Sequence, residues 1–279
     1  MMPEILRPPV IRPKLRRRIG RWFYIQKRRF QWIFGKQKFA EYRKDMFGEV
    51  VFQHQTPLLR RLKNVDMYLQ YNKITNLRLA AAKIDGLVIM PGETFSFWRM
   101  VGRPSAGRGF QEGLVLDNGK IDKGIGGGLC QMGNLLYWMV LHSPLRVTER
   151  WRHSYDVFPD ENRSLPFGSG ATLAYNYIDL QFRNDTQQSF QLHIRLSETE
   201  LHGEIRCDAL PEERYEVFEK EHEIRHEPWG GYSRHNLIAR KVFSLKTGEL
   251  LREEPVTENH ALMMYQPFIE SASGSEHEG

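Results

Sequence analysis

Cys130 is the residue around which chemistry could be built. It follows Gly124-Ile-Gly-Gly-Gly128-Leu, four glycines in five residues, and opens a run in which Met132, Leu135, Leu136, Met139 and Val140 fall at helical spacing. Glycine tolerates positive φ and close backbone approach, so the loop can turn sharply into a helix with Cys130 in its first turn. Unpaired N–H groups and the macrodipole there favour an anion, which is one route to a thiolate of lowered pKa. The same residues also read as a glycine turn packed closely on a strand, with Cys130 a small core residue.

A thiol nucleophile needs a base within hydrogen-bond reach and a group that orients the base. His142 closes the same helix about three turns on, too far from Cys130 to serve. His153, in Glu149-Arg-Trp-Arg-His153-Ser-Tyr-Asp156, lies beyond a strand whose antiparallel return can bring it beside the helix start. Asp179 is the preferred third member, with Asp156 and Asn184 behind it. Cysteine on a helix start, histidine on a strand and an acid on the next strand is the order found in papain-like and transglutaminase-like thiol enzymes. The N–H groups of Leu129–Gln131 would then be oxyanion donors. In a binding protein, Gly126, Gly127, Gly128 and Gln131 would instead line a groove for a peptide or glycan with Phe95, Phe97 and Trp98.

His222-Glu-Ile-Arg-His226 matches H-E-x-x-H, a zinc-protease pattern that requires both histidines on one helix face. Here it follows an alternating stretch and precedes Pro228 and a Gly-Gly turn, so it reads as strand, and no metal is expected. The glycine loop lacks the lysine of a phosphate-binding loop, and Leu129 occupies the sixth place of G-x-G-x-x-G. No cofactor is expected.

The elements that must position these residues follow from composition and pattern. Of 279 residues, 41% are hydrophobic and 12% aromatic, enough for a proper core. Two cysteines are too few for a disulfide framework or a cysteine zinc site. No apolar run reaches about 18 residues, and the N-terminus lacks the apolar centre of a signal peptide, so a cytoplasmic location is expected. Residues 1–44 hold fourteen Lys and Arg against Glu4 and Glu41, a net +12, which leaves the remainder at −6 within a total of +6. A basic footprint spread over the fold is therefore missing, and nucleic acid is not an expected partner. From Leu15 to about Lys44 basic residues interleave with Trp22, Phe23, Tyr24, Phe30, Trp32, Ile33 and Phe34. Such a helix can pack its aromatics on the domain and solvate its charges, lie on an anionic membrane surface, peripheral to the inner face, or contact nucleic acid.

Residues 57–84 are expected to form a helix. Leu114–Leu116 and Lys120–Ile121 flank Asp117-Asn118-Gly119, a hairpin signal. The Cys130 helix should stop near His142 at Ser143-Pro144. A broken strand should run from Leu145 to Val157, followed by strands over Ala171–Tyr175 and Tyr177–Phe182. Phe190–Leu196 and Leu201–Cys207 alternate as a further hairpin that buries Cys207. The result is an α+β fold: a basic helical arm (1–50), an α+β domain (51–210), a β-rich appendage (211–270) and a disordered tail (271–279).

Several blocks resemble the VanW family. They are Pro91-Gly-Glu-Thr-Phe-Ser96, Val101-Gly102, Gly124–Gln131, Glu149-Arg150 with His153-Ser154, and Asp179-Leu with Phe182-Arg-Asn184. Ser154–Asp160 and Pro166–Tyr177 are similar to the branch encoded in B-type vancomycin-resistance clusters. Many relatives carry Asp just before the Ala-Thr pair, where this chain has Gly170. The resemblance implies an accessory glycopeptide-resistance role, with a cell-wall peptide precursor as the molecule bound or acted on. In an enzyme of that kind Cys130 would attack an amide or ester carbonyl, His153 would take the proton and Asp179 would orient His153.

Overall fold

The computed structural model describes residues 12–59, 66–117, 120–152, 155–157 and 165–267. The expected tail, 271–279, and His153 lie outside them. The architecture is α+β, as the pattern requires.

Helix α1 (Lys14–Phe34) precedes strand β1 (Glu49–Pro57), and α2 (Met67–Ile84) follows. The expected helix over 57–84 is thus corrected at its start. β1 pairs antiparallel through Pro57 with β10 (Glu200–Cys207), and the Leu58 N–H donates to Thr199. Leu58 is fully buried as a continuation of that strand. Pairing across the sheet claimed a residue whose spacing also suited a helix.

β10 pairs in turn with β9 (Phe190–Leu196), and β9 with the short β2 (Val88–Ile89), giving a sheet of order β1-β10-β9-β2. Leu201, Gly203, Ile205 and Cys207 of β10 alternate onto the buried face. Against this sheet packs α4 (Cys130–Leu141), where nine of twelve residues are buried. A helix apolar on nearly all sides is a central one, and α4 is covered by β1 and β10 on one side and by the 165–178 segment on another. α2 covers β9 and the hairpin of β4 (Glu112–Asp117) and β5 (Lys120–Ile125).

A second small sheet joins β3 (Thr94–Ser96), β8 (Gln181–Arg183) and β6 (Arg146–Glu149). Ser96 also caps the five-residue helix α3 (Phe97–Val101). Most of the strand expected over 171–182 is irregular, with one bridge between Ala174 and Ile178. Its backbone groups go to side chains and loops instead: Ala171 N–H to Asn134, Thr172 N–H to the Trp151 carbonyl, Asp179 N–H to Glu149.

The C-terminal strands β11 (Glu213–His226), β12 (Tyr232–Ser244) and β13 (Leu250–Met263) form an antiparallel meander. β7 (Tyr155–Asp156), from the centre of the chain, adds parallel to β13. The meander is therefore stitched to the rest of the fold. His222 and His226 lie on β11, where the rise of about 3.3 Å per residue sets them roughly 13 Å apart. A single ion cannot be shared across that spacing.

Candidate functional site

The turn into α4 is built by glycine. Gly126 and Gly128 have φ of +79° and +87°, which a side chain would strain. Gly127 lies against Gly113 of β4, where an added Cβ would stand 2.1 Å from the Gly113 carbonyl carbon. At Gly128 the same atom would meet the Lys73 side chain, and at Gly126 the ring of Pro104. Fully buried Asn76 of α2 locks the arrangement. Its amide donates to the carbonyls of Gly127 (2.9 Å) and Gln111 (3.0 Å) and accepts from the Gln111 N–H. The N–H groups of Gly126, Gly127 and Gly128 donate to Gln111, Gly124 and Leu114. Gly126, Gly127 and Gly128 are thus used in close packing, Gly127 buried and the other two half-buried.

Cys130 opens α4 as expected, but under cover. Its Sγ donates to the Leu173 carbonyl at 3.9 Å, and Leu173 also packs where a side chain on Gly133 would stand. The residue is half-buried, and desolvation of the sulfur pushes the thiol above its usual range, with the Leu173 bond pulling weakly the other way. Burial of the sulfur acts against the lowering expected from the helix start, and His153, the other expected source of it, lies outside the described residues. Gln131 is also spoken for, donating to Thr56 Oγ1 and the Pro57 carbonyl at 2.9 Å each.

Phe95, Phe97 and Trp98 are core residues, at 0, 0 and 3% exposure, and not walls of an open groove. Phe95 stacks on Phe182 with centroids 4.5 Å apart, and Trp98 meets Tyr175 edge-on. The Trp98 indole donates to the Ile178 carbonyl.

Asp179 is fully buried beside them. Its Oδ1 accepts from the N–H groups of Trp98 (3.1 Å) and Leu180 (2.9 Å), and its Oδ2 from Ser96 Oγ (2.6 Å) and Gln181 Nε2 (3.1 Å). Both oxygens are occupied, and among the described residues no histidine is a partner. Burial pushes its carboxyl up to about 7, against the Ser96 and Trp98 bonds, with nearby Glu149 adding to the rise. The two alternatives to Asp179 are committed elsewhere. Asn184 bridges the Ile89 and Gln188 carbonyls and the Thr186 hydroxyl, and Asp156 accepts from Tyr265 and pairs with Arg234 in the C-terminal sheet.

Residue reading missed the group around Glu149. Glu149 receives a bidentate pair from Arg28 of α1 at 2.6 and 2.7 Å, and bonds from Trp151 Nε1, Gln181 Nε2 and the Asp179 N–H. Nothing in a run of eight basic residues singles out Arg28. Arg150 is also explained: it lies over the Tyr137 ring and donates to the Gly168 and Gly170 carbonyls and to Asn259. It clamps the 165–171 segment between α4 and β13. A side chain at Gly170 would strike Asn134, whose Oδ1 would be 2.5 Å from it. Any side chain there requires Asn134 to move.

The family model described as "VanW like protein" matches residues 72–206. The "Vancomycin B-type resistance protein VanW" of Enterococcus faecalis is 35% identical over 81% of this chain and 82% of its own length. The chain belongs to the VanW family. The uncharacterised protein YoaR of Bacillus subtilis is 32% identical over 40% of this chain and 36% of its own. No solved structure matches.

Proposed function

We propose that this protein is an accessory glycopeptide-resistance factor that binds a cell-wall peptide precursor without performing thiol chemistry on it. The observation that carries the resistance role is the similarity to the enterococcal vancomycin-resistance protein over four fifths of both chains. That likeness reaches well beyond the 72–206 domain. Binding in preference to catalysis is supported by the state of Cys130. Its thiol is desolvated with a raised pKa and bonded to a backbone carbonyl, and the Asp179 carboxylate is saturated by four donors. A nucleophile needs the thiolate, and these surroundings disfavour it.

A soluble muramyl pentapeptide precursor, titrated calorimetrically into the full chain and then recovered for mass spectrometry, tests the reading. Saturable binding with an unchanged peptide mass is expected, and Cys130→Ala should bind equally well. Iodoacetamide should label Cys130 much more slowly in the folded protein than in urea. Precursor cleavage or acyl transfer abolished by Cys130→Ala would replace this reading with a thiol enzyme, and absence of binding would remove it.

A further inference from the structure

Helix α1 carries eight Lys and Arg and no acidic residue. At 3.6 residues per turn, Leu15, Ile19, Trp22, Phe30 and Ile33 form one strip, widened by Phe23 to an arc of roughly 100°. Those five are 57 to 72% exposed, although most are residues that a fold ordinarily covers. Arg18 and Arg29 border the strip on one side, and Arg16 and Lys27 on the other, all four exposed. The side away from the strip docks in the second half of the helix, while Arg21 and Tyr24 on it stay exposed. Ile25 is half-buried there, Trp32 packs against the core, and Arg28 grips Glu149 with side-chain exposures of 15 and 18%. That bidentate pair sets the roll of the helix and turns the aromatic strip away from the domain.

We propose that α1 is an interfacial anchor lying in the headgroup region of an anionic bilayer, with the Leu15–Ile33 strip immersed and the VanW domain held at the lipid surface through Arg28 and Glu149. The chemistry of the helix selects this partner. A strip of aromatic and aliphatic side chains needs an apolar layer to enter, and its borders of cations need an anionic rim, which together describe an anionic membrane interface. A second copy would set cations against cations. Nucleic acid would be met by the aromatic strip first, with the cations at its margins. The inference is independent of precursor binding.

Cosedimentation of the full chain with phosphatidylglycerol–phosphatidylcholine vesicles, and with phosphatidylcholine alone, tests it. The protein should pellet with the anionic vesicles, weakly with the neutral ones, and less at high salt. The double variant Trp22→Glu/Phe30→Glu should stay in the supernatant while keeping its thermal midpoint, since both side chains are 63% exposed. Replacing Arg18 and Arg29 by Gln should weaken partitioning about thirtyfold, from the roughly fivefold that each cation near such a surface supplies. Equal pelleting of wild type and the glutamate variant, or none by either, overturns the proposal. So does a wild-type dimer dissolved by the glutamate substitutions without any vesicle binding, which would give the strip to a second copy. Precursor titration of the glutamate variant in solution reads the functional proposal separately.

Discussion

At the turn into α4, the groups marked for chemistry by type are occupied by protein. The glycines pack on Gly113, Lys73 and Pro104, Gln131 serves β1, and the Cys130 thiol faces a carbonyl. In α1 the relation is reversed. Trp22, Phe30 and Ile33 are residues that a fold ordinarily covers, and they stand in solvent, while Arg28 is held in a bidentate pair. Residue type measures what a side chain could do. Whether it remains free to do it depends on what packs against it, and the two regions lie at opposite ends of that dependence.

The strongest way to break the comparison is Gly127→Val. With backbone 2.1 Å from the added Cβ there is no flexible neighbour to give way. Overpacking beyond the usual 1–3 kcal/mol is expected, enough to leave little folded protein in a thermal melt. A near-normal midpoint would show the glycine turn to be looser than its contacts with Gly113 imply. In α1, Gly20 has nothing within 4 Å, so Gly20→Ala should stabilise the helix by about 1 kcal/mol.

Next in size is the pH dependence written into the buried groups. Asp179 rises from 3.8 to about 7, so between those values the folded state holds a proton that the unfolded chain has released. Stability from this group therefore falls as pH rises through the window and stays reduced above it. His142, stacked on Phe52 and buried, is pushed down from 6.5 to about 4. Its contribution is present above 6.5 and is lost as pH falls toward 4. At roughly 1.4 kcal/mol per decade these are about 4 and about 3 kcal/mol of opposite sign. The two should largely cancel in the wild type. Asp179→Asn should then reveal a stability that climbs with pH, and His142→Phe one that declines. Urea midpoints across the window decide it, and profiles parallel to the wild type would show that neither group is as desolvated as its packing implies.

The smallest effect sharpens the α1 side. Arg28→Ala should cost about 1 kcal/mol, the upper range for a partly exposed ion pair. Its clearer sign should be faster tryptic cleavage at the other basic residues of α1, as the helix loses its pin. Cleavage at the wild-type rate would mean that Trp32 alone holds the helix.

Local pattern was enough for a good part of the molecule. The 3.6 period after Cys130 and the stop at Ser143-Pro144 mark out α4, and alternation marks the β9–β10 hairpin and the burial of Cys207. The alternating stretch and the Gly-Gly turn mark His222 and His226 as strand residues. The family blocks were legible too, because identity at short spacing survives without any structure. The pattern failed where backbone groups found partners far along the chain. Leu58 joined a strand paired near residue 200, and the 171–180 segment gave its N–H groups to Asn134, Trp151 and Glu149 in place of a neighbouring strand.

For the candidate site, sequence by itself determined which residue types stand at which spacing and that a glycine turn leads into the Cys130 helix. Tertiary structure alone decided their state. Ser96 meets Asp179 across 83 residues and Arg28 meets Glu149 across 121. The raised Cys130 thiol and Asp179 carboxyl come chiefly from burial by segments distant in sequence. Desolvation, ion pairing and the exposure of an apolar strip depend on three-dimensional neighbours, and a one-dimensional spacing rule contains no information about them.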